Sequence, residues 1–484
     1  MGGTLLRILA LVIFAGCALQ AAALEESECR IGLRGGAKIL ARCATLEVPA
    51  NPEDPDGEQL ELAVARIPAL AATPLPDPIV MINGGPGGSS IDLYLGLRNA
   101  LTGMRRNRDI IVMDQRGTGR SMQGLSCEAP EDLDFQVAGP ELIGELTSDC
   151  LAQIEVDPRF YTTSLAVRDL DVLREAYGFE SWNIYGVSYG SRVAQHYVRR
   201  YPARARTVIL DGSIPATEIL GPYIPLAMQS ALDEILFRCE QDVDCSEQFG
   251  DIGGKFGEIL ERLETEEISV GRVDRQTGET FELPLRVDTL VGLARFMSYS
   301  SGTAALLPLT IDETHAGRYG TLMDQAELMF GEVDRSINMA MHNNVMCSED
   351  WSRFDPDNTP DVSGTYAGSA FVETLTAICS IWPTGPVDED FSSALVTDVP
   401  VLFISGSADP ATPAEFVEEI IAGGVGNSMH IVVEDQGHGV FALGCMPQIV
   451  EAFVNAASVD DLDTSCIDAV LPTPFFLTPA GPAP

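Results

Sequence analysis

Residues 183–197 read NIYGVSYGSRVAQHY. Strand-forming residues up to Val187 give way at Ser188 to a pattern that reads as a helix. Ser188 sits between Gly186 and Gly190, in G-x-S-x-G. A side chain projected from so sharp a strand-to-helix turn needs small neighbours two residues away on either side. The same pattern also fits an ordinary glycine-flanked turn. What separates the two readings is the rest of the chain.

Around the elbow the same grammar recurs. DPIVMINGGPGGSS (77–90), RDIIVMDQRGTGRS (108–121), ARTVILDGS (205–213), DVPVLFISGSADPATP (398–413) and MHIVVEDQGHG (429–439) are apolar runs ending in polar or glycine-rich loops. Helical stretches such as TSLAVRDLDVLREAYGF (163–179) lie between them. Alternation of this kind predicts an α/β fold, a mostly parallel sheet with helices on both faces. Function in such sheets gathers at the carboxyl ends of strands, where these loops fall. Residues 221–385 break the rhythm with helical patterns such as IPLAMQSALDEILFRCEQD, which predicts a largely helical insertion. The expected division is 1–23, 24–220, 221–385 and 386–484, with a Pro-rich tail, LPTPFFLTPAGPAP, extended or frayed.

A serine hydroxyl needs a base to become a nucleophile. Of five histidines, His438 follows a strand in a loop at the required end. His196 lies on the serine's own helix, His430 begins a strand, and His315 and His342 fall in the insertion. The imidazole in turn needs a carboxylate. Asp409 follows a buried strand 29 residues before His438, with Asp211 and Asp435 as runners-up. The order Ser, Asp, His is that of an α/β-hydrolase. The backbone N–H of Tyr189 and that of Gly84 or Gly85 are the expected oxyanion donors. NGGPGGSS (83–90) lacks the lysine of a P-loop and the spacing of a dinucleotide fingerprint.

Composition narrows the classes further. The chain has 484 residues, 45% apolar, and a net charge of −41, with lysine only at positions 38 and 255. Such a charge repels a phosphate backbone, so nucleic acid is excluded as a partner. Arg7, the run ILALVIFAG and Ala21–Ala23 read as a signal peptide cleaved after Ala23, with lipid attachment at Cys17 the competing reading. The run is too short to span a membrane. Without Cys17, ten cysteines remain in sequence-local couples: 29 with 43, 127 with 150, 239 with 245, 347 with 379 and 445 with 466. Five local bridges in an oxidising compartment is the economical expectation, although spacing alone does not fix connectivity. No CxxC or HExxH spacing points to a metal, and no cofactor is expected.

GGPGG, DQRGTGRS, GVSYG, DPATP and GHG together resemble the proline iminopeptidase and tripeptidyl aminopeptidase family of α/β-hydrolase serine peptidases. The C-terminal pattern VLFISGSADPATP…GHGVF…C is similar to its secreted tripeptidyl branch. The resemblance implies a helical cap, Ser188, Asp409 and His438 as triad, and peptide substrates with a free N-terminus. Asn83 departs from it, standing where many members carry histidine. A free α-ammonium calls for carboxylates, and Glu349 and Asp350 in NNVMCSEDW resemble an acidic element of the family's cap. Asp114 and Arg116 read instead as braces of a strand-end loop. An esterase or lipase with the same triad, and a catalytically silent binding protein on this scaffold, are the alternatives.

Overall fold

A computed structural model describes residues 24–127, 140–273 and 277–482. The signal segment 1–23, with Cys17, lies outside them. The apolar runs of the sequence form β1 (Ser27–Ile31), β2 (Ile39–Pro49), β3 (Gln59–Ile67), β4 (Ile79–Ile82), β5 (Ile110–Met113), β6 (Trp182–Val187) and β7 (Ala205–Asp211). A separate hairpin, β8 (Ile268–Val273) and β9 (Thr280–Leu285), precedes β10 (Val401–Gly406) and β11 (Ser428–Val433). All but the hairpin pair into one nine-stranded sheet of order β1-β2-β3-β5-β4-β6-β7-β10-β11. β1, β2, β3 and β5 pair antiparallel, and every pairing from β5 to β11 is parallel.

Central strands buried on both faces need apolar residues at every position. In β10, Val401 and Phe403 join one core while Leu402 and Ile404 join the other. The first core is covered by the helices Thr163–Tyr177 and Tyr189–Arg200, through Val167, Leu170, Val193 and Tyr197. The second is covered by Ser90–Leu97 and Met446–Ala456, through Ile91, Leu95, Ile449 and Phe453. Layers of this kind hold the strand ends rigidly, which is what a catalytic loop requires.

β7 and β10 are sheet neighbours, yet residues 212–400 intervene between them. That excursion holds helices from Ile224–Gln241 to Ala370–Cys379, with its own core around Leu232, Phe249, Leu293 and Leu322. It also contains the β8–β9 hairpin, whose exposed residues give no buried-strand signature in the sequence. The tail, expected to be extended or frayed, is packed against the insertion in its described part, up to residue 482. Phe475 is buried in the insertion's core under the Arg238 guanidinium, and the Phe476 N–H donates to the Ala305 carbonyl at 3.0 Å. All five local disulfides form as expected. Among the described residues no helix is long and apolar enough to cross a membrane.

Candidate active site

β6 ends at Val187 and the helix begins at Tyr189, so Ser188 takes the whole turn. Its φ of 57° and ψ of −129° lie where side-chain-bearing residues are strained. The glycines are required by contact. A β-carbon at Gly190 would strike the Ile82 carbonyl, and one at Gly186 the Gly190 carbonyl. The Ser188 N–H donates to the Asp211 carbonyl at 2.9 Å, fixing the elbow to β7.

Asp409 is buried in the turn after β10. Its Oδ1 accepts from the Ala411 and Thr412 N–H groups at 2.8 and 2.9 Å. Its Oδ2 accepts from Thr412 Oγ1 at 2.7 Å and lies 2.7 Å from His438 Nδ1. Thr412 Oγ1 is also 3.1 Å from that nitrogen. Burial opposes charge on the imidazole, but the charge and hydrogen bond of Asp409, with Asp211 behind them, win and raise its pKa. Asp409 is likewise pushed up by burial and pulled further down by His438, so it ends below its ordinary value. The Tyr299 ring packs edge-on to His438, 5.1 Å between centroids, and the His438 N–H donates to the Tyr299 carbonyl at 2.9 Å.

The other carboxylates and histidines have different partners. Asp211 accepts from the Tyr185 hydroxyl and from the Val440 and Phe441 N–H groups, and so holds the loop beyond His438. The Asp435 N–H donates to Ser407 Oγ. His196 lies on Asp388, His430 on Ser405 and His315 on Glu258. Between the elbow and His438 stands Gly212, where a β-carbon would be 3.0 Å from the imidazole Cε1.

The glycine-rich loop closes the other side. A β-carbon at Gly84 would stand 2.5 Å from that of Ser188, so the loop lies directly against the elbow. The Gly84 N–H, however, already donates to Asn83 Oδ1 at 2.8 Å, while Asn83 Nδ2 donates to the Ser89 carbonyl at 2.9 Å. Asn83 thus supports the loop and already engages the Gly84 N–H. Asp114 braces the same loop by accepting from Ser89 Oγ at 2.6 Å and the Ile91 N–H at 3.0 Å. Arg116 forms a bidentate pair with buried Asp169, at 2.6 and 2.8 Å.

Glu349 and Asp350 are buried and bonded within the protein. Glu349 accepts from the N–H and hydroxyl of Thr163 at 2.5 and 2.7 Å, and burial pushes its pKa up to about 7. Thr163 Oγ1 also lies 2.5 Å from the Tyr189 hydroxyl. Asp350 accepts from Arg192 Nη1 through both oxygens, at 3.0 and 2.9 Å, and from the Leu220 N–H at 2.9 Å. Both side chains of the Arg192–Asp350 pair are fully enclosed. Both acids therefore tie the insertion to the elbow helix and its neighbour.

Sequence reasoning passed over Thr412 and Tyr299. Thr412 carried a signal, since a threonine three residues after an aspartate is a turn-capping pattern. Tyr299 carried none, because its contact with His438 spans 139 positions that only the fold brings together.

With this geometry in hand, the α/β hydrolase fold family model matches residues 77–246 and the TAP-like protein model residues 364–466. The chain is 26% identical to the serine protease Hip1 of Mycobacterium tuberculosis, over 80% of this chain and 79% of that protein. It is 25% identical to carboxylesterase B of the same organism, over 77% and 76%. It is 24% identical to the tripeptidyl aminopeptidase of Streptomyces lividans, over 90% and 85%.

Proposed function

We propose, from the premise that the chain is an α/β-hydrolase-fold serine hydrolase with a TAP-like C-terminal part, that it is an exported aminopeptidase acting through an acyl-enzyme on Ser188. The observation that carries this is the Asp409–His438 pair, 2.7 Å apart, at the strand ends that also present the Ser188 elbow. His438 takes the Ser188 proton as Oγ attacks the scissile carbonyl, and Asp409 stabilises the imidazolium. The Tyr189 and Gly85 N–H groups receive the oxyanion. His438 then gives its proton to the leaving amine, and water activated by the same imidazole releases the acyl group. Residues 221–385 serve as a cap over this site. Five disulfides support an oxidising, exported setting. Action near a free N-terminus is supported by similarity to the tripeptidyl aminopeptidase. Similarity to carboxylesterase B supports the competing ester-hydrolase reading.

A mass-spectrometric digest of an unbiased peptide library tests the choice. Peptides shortened stepwise from the N-terminus are the expected result. Intact peptides alongside rapid aryl-ester turnover would move the assignment to an esterase. The acid limb of kcat/KM tests the base. His438 must be neutral to accept the proton, and its pKa is raised, so activity falls as pH drops through a value above about 6.5. An acid limb centred well below that value would exclude His438, in this environment, as the base.

A further inference from the structure

The oxyanion loop, Asn83–Ser89, carries glycine at positions 84, 85, 87 and 88. Glycine imposes little of its own conformation, so the place of the Gly85 N–H depends on what grips the loop. Three internal bonds do part of this: the Gly84 N–H to Asn83, Asn83 Nδ2 to the Ser89 carbonyl, and the Gly88 N–H to the Gly84 carbonyl at 3.0 Å. Asp114 holds the loop's far end at Ser89, and the insertion grips its middle. Ile337 forms an antiparallel bridge with Gly88. The Asn338 N–H donates to the Gly87 carbonyl at 3.1 Å. One helical turn further on, the His342 imidazole faces the Pro86 carbonyl. The contact is close as well as polar. A β-carbon at Gly85 would stand 3.0 Å from Ile337 Cδ1, and one at Gly87 3.0 Å from the Asn338 nitrogen.

We propose that His342 and the backbone N–H of Asn338 are positioning residues, gripping Pro86 and Gly87 so that the neighbouring Gly85 N–H points at the oxyanion. The proposal rests on the reading above, in which Ser188 is the nucleophile and Gly85 a donor. The cap is then part of the oxyanion hole's construction as well as a cover over the substrate. Asn338 suits the place: its Oδ1 caps the helix Met339–Val345 by accepting from the Ala340 and Met341 N–H groups, and its Nδ2 donates to the Leu125 carbonyl. This fixes where the helix starts, and so where residue 342 falls. His342 is suited as well. Burial, opposed by the Pro86 carbonyl and reinforced by Arg295, pushes its pKa down to about 4. At neutral pH it is an uncharged N–H donor that brings no net charge to a site where negative charge develops.

Four full-length variants test this. His342→Leu keeps bulk but loses the donor, whereas His342→Gln keeps an N–H. Asn338→Ala loses the cap but keeps the backbone N–H. Asn338→Pro loses both, and its φ of −80° after an extended Ile337 is one that proline accepts. Active sites are counted by end-point fluorophosphonate labelling, so that kcat is per competent serine. A misplacement of about 1 Å costs on the order of 10²-fold in rate. The expected result is a kcat about 10-fold to 10²-fold lower in His342→Leu, with KM little changed and most of the rate restored in His342→Gln. Asn338→Pro should fall below Asn338→Ala by a similar factor. Should His342→Leu not fold, the two Asn338 variants decide alone. Unchanged kcat per labelled site, a change in KM alone, or equal rates for the two Asn338 variants would overturn the clamp. Ser188→Ala is run in parallel. If it still turns over substrate, the underlying nucleophile reading fails. If it is dead while the clamp variants are fully active, only the clamp fails.

Discussion

Ser188→Ala should lower kcat by about 10⁶-fold while leaving the fold intact, and Asp409→Asn should lower it by about 10⁴-fold. The difference follows from the role proposed for each residue. Without Oγ no acyl-enzyme forms, and only binding and the oxyanion donors remain. In Asp409→Asn the nucleophile and base are both present. The carboxylate that accepts from His438 Nδ1 is gone, however, so the imidazole loses its preferred tautomer and its counter-charge. The substituted amide can still accept from the Ala411 and Thr412 N–H groups through its carbonyl oxygen, so the turn survives. The Ser188 hydroxyl contributes little to stability, and alanine meets the positive φ at a cost comparable to that of serine. Turnover of an aminoacyl anilide, beside circular dichroism of each variant, measures both claims. A loss under about 10²-fold in Ser188→Ala would remove it from the mechanism.

The Ser188 turn and the meeting of Asp409 with His438 were legible because each residue belongs to a local pattern at the end of a strand. Gly186 and Gly190 declare a sharp turn, and Asp409 and His438 each follow a six-residue strand rich in apolar residues. The sheet was legible for the same reason, since burial on both faces leaves unbroken apolar runs. What the sequence hid were relations between distant segments. The partner of Asp350 is Arg192, 158 positions away, so Asp350 reads in sequence as an unpaired acid available to a substrate ammonium. The choice between Gly84 and Gly85 turns on one side-chain bond from Asn83, a conformation that no pattern encodes. The tail read as extended or frayed because proline signals extension. Phe475 finds its pocket only once the insertion has folded.

Asp350→Ala should destabilise the protein by about 3–5 kcal/mol, because it strands a charge that has no route to water. Arg192 is fully enclosed on the elbow helix. Its remaining contacts are the carbonyl of Glu218 at 2.9 Å and, at 3.5 Å, that of Pro215. These occupy Nη2 but leave Nε without a partner, and neither neutralises the guanidinium. The Leu220 N–H would lose its acceptor in the same stroke. The double variant Arg192→Met/Asp350→Leu removes the charge together with its partner and should recover much of the lost stability, since the desolvation cost of both ions disappears. Urea unfolding midpoints of the two variants measure this. Kinetics supply the second arm. If Asp350 ties the insertion to the elbow helix, its loss slows peptide and ester hydrolysis alike, because both reactions use the same elbow. If it instead held the substrate's ammonium, peptide turnover would collapse, ester turnover would survive and the midpoint would stay near that of the native chain. The fully enclosed pair with Arg192 favours the first outcome.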